Sequence, residues 1–132
     1  MRYMLSAALA VGLVAMPVAA SAEDKVYEPA PGNAVVVYTH HFKAADFDEG
    51  VKIVTRGFTE AQSAFGQTRK NYFLVNPETH DMIVVSFFDA DESVDAWHGS
   101  SDRHDVLKKL EAVRRAPLEI ERFTVEAITT TE

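Results

Sequence analysis

Residues 71–88 read NYFLVNPETHDMIVVSFF, two apolar runs joined by a short polar segment. The runs at 71–75 and 82–88 are rich in the β-branched and aromatic residues that favour strands. The polar segment contains turn-forming asparagine, proline and aspartate, and it is too short for any connection other than a hairpin. We therefore expect two neighbouring antiparallel strands here.

The segment before this hairpin predicts a strand followed by an amphipathic helix. Residues 34–42 read AVVVYTHHF, which is typical of a strand. The apolar residues that follow recur in steps of three and four and form one stripe along a helix: Phe47, Val51, Val54, Phe58, Ala61 and Phe65. Asp46 can cap the start of this helix, and Gly66 can end it.

The segment after the hairpin predicts two helices. A short helix covers residues 91–97 and is ended by Gly99. A longer helix covers residues 102–115, with Ser101 as its cap and Pro117 as its stop. The apolar residues that share the buried side of the longer helix are Val106, Leu107, Leu110 and Val113.

A last strand is predicted where Phe123, Val125 and Ala127 alternate with polar residues. The order of elements is then β-α-β-β-α-β, which is the arrangement of ferredoxin-like α+β folds with an antiparallel sheet. We expect one domain over residues 34–128, because a chain of 132 residues rarely divides into two.

Both faces of this sheet are predicted to be apolar. In the first strand Val36 and Tyr38 share one side, while Val35 and Val37 share the other, and the hairpin repeats the pattern. Two helices can cover only one face of the sheet. A second copy of the chain packed on the free face would close a dimeric barrel. The alternative is a small hydrophobic sheet without a partner.

Composition narrows the functional classes. The chain is 47% hydrophobic and 25% charged, has a formal net charge of −7 and contains no cysteine. The apolar fraction excludes a disordered chain, and the acidity argues against nucleic-acid binding. Without cysteine there are no disulfides, thiol nucleophiles or cysteine-based metal sites. No nucleotide-binding, serine-hydrolase or zinc-protease motif occurs in the sequence.

The first 22 residues have the features of a cleaved signal peptide. A positive start precedes an alanine-rich apolar core at 5–14, and the small-residue motif ASA ends the segment at 20–22. The alternative is a membrane anchor, because residues 4–22 are uncharged. Cleavage predicts a periplasmic or secreted protein with a flexible leader at 23–33 and no membrane attachment.

Several short motifs also point to a known family. A VVVY-type first strand is followed by VVSFF at 84–88 and SVDAW at 93–97, with Ser101 and His104 downstream. With these motifs the chain, over residues 34–128, resembles the antibiotic biosynthesis monooxygenase family. The resemblance implies a dimeric α+β barrel with an aromatic pocket between the sheet and the helices. It also implies cofactor-independent oxygenation of a small aromatic or quinol-type substrate.

The resemblance and the residues together give three catalytic candidates, Trp97, His104 and His40. Trp97 matches the family's tryptophan, and its structural alternative is a packing anchor between helix and sheet. His104 lies in the first turn of its helix, where the helix dipole favours a neutral imidazole that can accept a proton. His40 shares a strand face with Tyr38, whereas His41 points the other way. Either strand histidine has a structural alternative as a hydrogen-bonded side chain.

The candidate residues for binding an aromatic ligand are Tyr38, Tyr72 and Phe87. A non-catalytic binder of a small hydrophobic ligand, such as a quinone or haem, is the alternative function on the same fold. The two functions differ in turnover, which oxygen uptake would detect.

Neither a cofactor nor a metal is predicted. Haem-degrading relatives carry their iron-binding histidine near the position of Leu107, and they use an asparagine on the first strand, where this chain has Thr39, His40 and His41. These departures argue against haem degradation, although haem remains an alternative ligand. The residues His98, Asp102, His104 and Asp105 match no known zinc spacing.

Overall fold

The computed structural model describes residues 27–66 and 68–131, with the backbone alone at 68 and 69. The predicted signal peptide at 1–22 lies outside the described residues, as does the start of the leader at 23–26. The end of the leader is held against the domain, because the backbone N–H of Gly32 donates to the carbonyl of Val125 at 2.9 Å.

The sheet contains four antiparallel strands in the spatial order β2-β3-β1-β4. Their bounds are Ala34–Phe42 for β1, Thr68–Asn76 for β2, Asp81–Phe88 for β3 and Arg114–Thr124 for β4. The predicted hairpin is confirmed as β2 and β3, whose register pairs Tyr72 with Val85 and Leu74 with Ile83. Strand β1 lies in the middle of the sheet, between β3 and β4.

The helices lie between the strands as the sequence predicts. A helical run after β1 comprises α1 (Phe47–Lys52), a π-helical turn (Ile53–Phe58) and α2 (Thr59–Phe65). After β3 come α3 (Asp91–His98) and α4 (Ser101–Leu110). The predicted ferredoxin-like order of elements is therefore confirmed. None of the helices in the described part of the chain is long and apolar enough to cross a bilayer.

The helical run packs directly on β1. A Cβ atom at Gly50 would lie 2.5 Å from the ring of Phe42, so only glycine permits this approach. Gly66 ends the run as predicted, with a φ of 85° that glycine adopts without strain. Asp46 occupies the N-cap position of α1 but forms no side-chain capping hydrogen bond. The sequence predicts a regular α-helix throughout, so the π-helical turn is a difference found in the structure.

The prediction for the end of the chain is wrong in three respects. The helix predicted over 102–115 is α4, which ends at Leu110, and its capping oxygen belongs to Ser100 instead of Ser101. Pro117 does not stop this helix; it lies inside β4, where an edge strand tolerates the missing N–H. The last strand begins at Arg114 and ends at Thr124, so it lies earlier than the predicted alternation.

The two faces of the sheet differ in what covers them. The inner face packs against the helices and contributes fully buried side chains such as Val36, Phe42, Met82 and Phe88. The outer face carries no helix in the described part of the chain. Its apolar residues are Val35, Val37, Tyr72, Leu74, Ile83, Val85, Phe87 and Phe123. Leu74 and Phe123 there are 51% and 52% exposed, so the prediction of two apolar faces is confirmed.

Candidate functional site

A cavity of about 10 Å³ lies between the inner face of the sheet and the helices. The sheet contributes Tyr38, His40, Val84, Ser86 and Leu118 to its walls. The helices contribute Phe58, Gln62, Trp97 and Arg103. This volume is enough for roughly one water molecule.

His40 is the most deeply buried histidine of the cavity wall, with 3% of its surface exposed. Its ring stacks on Phe42 with a centroid distance of 5.9 Å and lies 6.1 Å from the ring of Phe58. Within the described residues its imidazole has no hydrogen-bond partner. Burial, and then the nearby charge of Arg114, lowers the pKa of His40 to about 4. A neutral imidazole without a partner is a free proton acceptor.

A β-bulge in β4 lies opposite His40. Thr39 pairs with Glu119 and His41 pairs with Ala116, so that two residues of β4, Pro117 and Leu118, face the single residue His40. Bulges of this kind bend a strand and redirect its side chains. The bulge brings Leu118 to the cavity wall beside His40.

Arg103, in the first turn of α4, is part of the wall of the same cavity and is 6% exposed. Its Nη1 donates to the carbonyl of His98 at 3.3 Å. No carboxylate among the described residues forms an ion pair with it. Burial lowers the pKa of Arg103, but a guanidinium stays protonated at neutral pH. The cavity wall therefore carries a buried cation that no carboxylate of the described residues neutralises.

Tyr38 and His98 form a hydrogen-bonded pair at one end of the cavity. The Tyr38 hydroxyl and His98 Nε2 are 2.8 Å apart, and the two rings meet edge to face at 5.7 Å. Burial, and then the charge of Arg103, lowers the pKa of His98 to about 4. Burial also raises the pKa of Tyr38. Both groups are thus neutral at pH 7, and the phenol donates to the imidazole.

The remaining polar groups of the wall satisfy one another. The Ser86 hydroxyl donates to Asn71 Oδ1, and the Asn71 amide donates to Gln62 Oε1. Ser86 and Gln62 are therefore engaged within the fold, whereas among the described residues His40 has no hydrogen-bond partner and the Arg103 guanidinium has only the carbonyl of His98.

Trp97 fulfils both roles that the sequence leaves open. Its side chain is 1% exposed and packs edge to face on Phe58 at 6.2 Å and tilted on Phe65 at 5.4 Å. It also forms part of the cavity wall. The ring is consequently a packing anchor and a pocket residue at once.

The structure brings together three of the six predicted site residues, His40, Trp97 and Tyr38. The other three lie away from the cavity wall. His104 is exposed on α4, because it follows Arg103 by one residue and is turned about 100° away from the buried side. Tyr72 and Phe87 are on the outer face, where their rings contact each other at 6.1 Å.

Sequence reasoning missed Arg103 and considered His98 as a candidate metal ligand. A signal for Arg103 was present, since Arg103, Val106 and Leu110 recur at the spacing of one helix side and are all buried. Among the described residues no group of histidine and acidic side chains could hold a metal ion, and His98 is bonded to Tyr38.

Comparisons with known proteins support the fold. No protein-family model and no curated protein matches the chain. A protein of unknown function from Nitrosomonas europaea superimposes with a TM-score of 0.65 at 11% identity, over 76% of this chain and 96% of that one. A Caulobacter crescentus protein provisionally named an antibiotic biosynthesis monooxygenase gives 0.65 at 12%, over 74% and 92%.

A second protein of that provisional name, from Nitrosomonas europaea, gives a TM-score of 0.63 at 5% identity, over 74% of this chain and 94% of that one. Similarity at these identities concerns the fold alone. The chain thus has the α+β fold found in structures named antibiotic biosynthesis monooxygenases, as the resemblance in sequence predicts.

Proposed function

We propose that the protein is a cofactor-independent monooxygenase of a small phenolic or quinol-type aromatic compound. The observation that carries this proposal is His40, a neutral imidazole in the wall of a mostly apolar cavity, with no hydrogen-bond partner among the residues that the structure describes. A general base needs to be unprotonated and within reach of the substrate proton, and His40 meets the first condition at all pH values well above 4. The shared fold adds support at the level of the family.

In the proposed reaction His40 removes a proton from the substrate, and the resulting electron-rich ring reacts with dioxygen. For a ring methylene that becomes a carbonyl, one oxygen atom enters the product, and the other leaves as water with the two methylene hydrogens. The substrate supplies all the electrons. The protein contributes the base, the aromatic walls of Trp97 and Phe58, and exclusion of water.

The cavity must widen to admit an aromatic ring, because about 10 Å³ is enough for a water molecule only. Phe58, on the helix side of the wall, ends the π-helical turn. Such turns are frequent at functional sites and interrupt the regular hydrogen bonding of a helix. We propose that this part of the wall moves when substrate enters.

The alternative function, binding without turnover, would use the same cavity for a quinone. Haem, the other ligand of this alternative, is much larger than the cavity, so its entry would require the helices to separate from the sheet. Oxygen uptake with a panel of dihydroxyaromatic compounds distinguishes a monooxygenase from a binder.

The test of the proposed function is a His40→Gln variant, with His41→Gln as the matched control on the opposite face of the strand. We expect His40→Gln to lower turnover by about 100-fold or more, the usual contribution of a general base. His41→Gln should keep most of the activity. Equal rates in the two variants would remove the basis of the proposal.

We also propose that the protein is a homodimer formed through the outer face. This face exposes a continuous set of apolar residues at its centre, and its two edges carry opposite charges. Lys70 lies on β2 at one edge, while Glu119 and Glu121 lie on β4 at the other. A two-fold axis that places β2 against β4 of a second copy would pair these charges around a shared apolar core.

Finally, we propose that the protein is exported, on the basis of the signal-peptide features at 1–22. Intact mass of the protein from a periplasmic extract should correspond to a chain that begins at Glu23. A full-length species in the membrane fraction would instead support the membrane anchor.

A further inference from the structure

Arg103 is unusual because it is a buried charge that nothing in the described chain neutralises. It is 6% exposed, and within the described residues its guanidinium makes one hydrogen bond, to the backbone carbonyl of His98. Its other N–H groups have no acceptor among the described residues. A desolvated and unpaired charge destabilises a fold, so proteins rarely retain one without a compensating partner.

The groups around Arg103 do not supply that partner. Tyr38 is the ionisable side chain whose charge would act most directly on Arg103, but burial keeps its hydroxyl protonated. His40, on the same cavity wall, is neutral at pH 7, as is His98. Of the acidic residues of α3, Asp91 and Asp95 are bound to Arg122 on β4, and Glu92 is exposed on the surface.

We infer that the cavity is a binding site for an aromatic monoanion, whose charged oxygen contacts the Arg103 guanidinium while its ring packs against Trp97 and Phe58. The oxygen belongs to an ionised hydroxyl or to a carboxylate, both of which a planar guanidinium binds through paired N–H donors. This inference names the substrate class of the proposed oxygenation and rests on it for the catalytic consequence. The binding itself stands apart from turnover.

The catalytic consequence concerns the first proton transfer. A cation next to the substrate oxygen stabilises the ionised form and therefore lowers the pKa of a bound phenol. His40 then receives the proton from a stronger acid than the same phenol in water. Arg103 and His40 would thus share the task of forming the anion that reacts with dioxygen.

The first test uses 4-nitrophenol, which becomes yellow when it ionises, and benzoate as the carboxylate counterpart. For the unmodified protein we expect the pKa of bound 4-nitrophenol to fall by about one unit or more, which corresponds to at least tenfold tighter binding of the ionised form. Arg103→Met should abolish this shift. The control Arg122→Met removes an exposed arginine already paired with α3 and should leave the shift unchanged.

The two probes distinguish a ligand charged on a hydroxyl from a ligand charged on a carboxylate. Tight binding of both probes indicates a general site for aromatic anions, and binding of one alone identifies ionised hydroxyl or carboxylate as the ligand chemistry. Failure of the unmodified protein to bind either probe at millimolar concentration overturns the inference. So does an Arg103→Met variant that binds the anions as tightly as the unmodified protein.

The second test separates ligand binding from a structural role. If the charge of Arg103 is neutralised only by a bound ligand, the ligand-free Arg103→Met variant should be as stable as the unmodified protein or more stable. The substitution removes a buried charge that no described residue neutralises. A marked loss of stability would show that Arg103 is engaged within the fold, which contradicts the inference. Anion binding without oxygen uptake would sustain the site and reject the monooxygenase. Oxygen uptake that Arg103→Met leaves unchanged would sustain the monooxygenase and reject the anion site at Arg103.

Discussion

His40 and His41 are neighbours in β1, yet they lie in opposite environments. His40 is buried on the inner face without a hydrogen-bond partner, and its pKa falls to about 4. His41 lies on the outer face between two carboxylates, with Nδ1 2.7 Å from Asp81 and Nε2 2.8 Å from Glu119. These two hydrogen bonds raise the pKa of His41. The two-residue period of the strand therefore separates an imidazole that has no partner among the described residues from one paired with two carboxylates.

The comparison extends from the two histidines to the two faces. On the inner face, the His40 imidazole and most N–H groups of the Arg103 guanidinium have no hydrogen-bond partner among the described residues. Unsatisfied polar groups around a cavity are typical of ligand-binding sites. On the outer face, polar groups at the edges pair with each other and the centre is apolar. We therefore expect inner-face variants to change stability and chemistry, and outer-face variants to change assembly.

The largest expected effect concerns the inner aromatic wall. Trp97→Ala should lower the free energy of unfolding by about 3–5 kcal/mol, because it removes a fully buried ring. The matched outer-face variant is Tyr72→Ala, whose side chain is 46% exposed. Urea denaturation of both variants measures the difference. Similar losses of unfolding free energy in the two variants would contradict the view that inner-face side chains stabilise the subunit more than outer-face side chains do.

The next effect is the acid sensitivity of the inner face. The unfolded chain binds a proton on histidine near pH 6.5, whereas folded His40 does so only near pH 4, so stability is lost as the pH falls through this interval. The loss from His40 should reach about 3 kcal/mol at pH 4, and His98 acts in the same direction. His40→Leu should flatten the dependence of stability on pH between 6.5 and 4.

His41 should show the opposite sign. Because its folded pKa is raised, its contribution is complete below pH 6.5 and is lost as the pH rises through the folded value. His41→Gln should therefore remove a decline in stability on the alkaline side of pH 6.5 and leave the acid side unchanged. Denaturant midpoints measured across pH test both signs in one series.

A smaller effect is expected for assembly. Replacing Val85 and Phe87 by serine on the outer face should weaken the dimer by at least about tenfold, or 1.4 kcal/mol, with the circular dichroism of the subunit retained. The matched inner-face pair, Val84 and Phe88, is buried and should unfold the subunit when replaced by serine. Light scattering that finds the unmodified protein monomeric at micromolar concentration would contradict the proposed dimer.

The smallest effect is expected at the edge of the outer face. Glu119→Gln should lower the pKa of His41, which NMR titration of the imidazole measures. The accompanying change in stability should be only about 0.2–1 kcal/mol, as for other exposed ion pairs. The pKa of His40 should stay near 4 in this variant, since burial is the main cause of its shift and the charge of His41 a smaller one. A shift of His40 would show that the faces are coupled.

The sequence predicts the fold well because its apolar residues recur with the two-residue period of strands and the three-to-four-residue period of helices. The alternation in β1 and the stripe from Phe47 to Phe65 are long enough to give each element its type and its buried side. The errors fall where local signals conflict. Pro117 suggests the end of a helix, but the bulge and the edge position of β4 allow it within a strand.

The candidate site was less predictable, because its key residues are recognised only by what surrounds them. His40 and His41 differ by one position, and the sequence gives their faces but not the carboxylates that hold His41. The residues next to Arg103 are polar and are typical of an exposed helix surface. Only its spacing to Val106 and Leu110 places Arg103 on the buried side of the helix. An unpaired charge is a property of three-dimensional surroundings, which no local pattern contains.

Pro117 also bears on how the chain avoids aggregation. The free edge of a sheet offers a row of N–H and C=O groups to which strands of other molecules can add. At Pro117 the row in β4 lacks a donor, and the adjoining bulge disturbs the spacing of the groups that remain. Addition of further strands at this edge, the first step in growth of a fibre, is therefore hindered near residue 117.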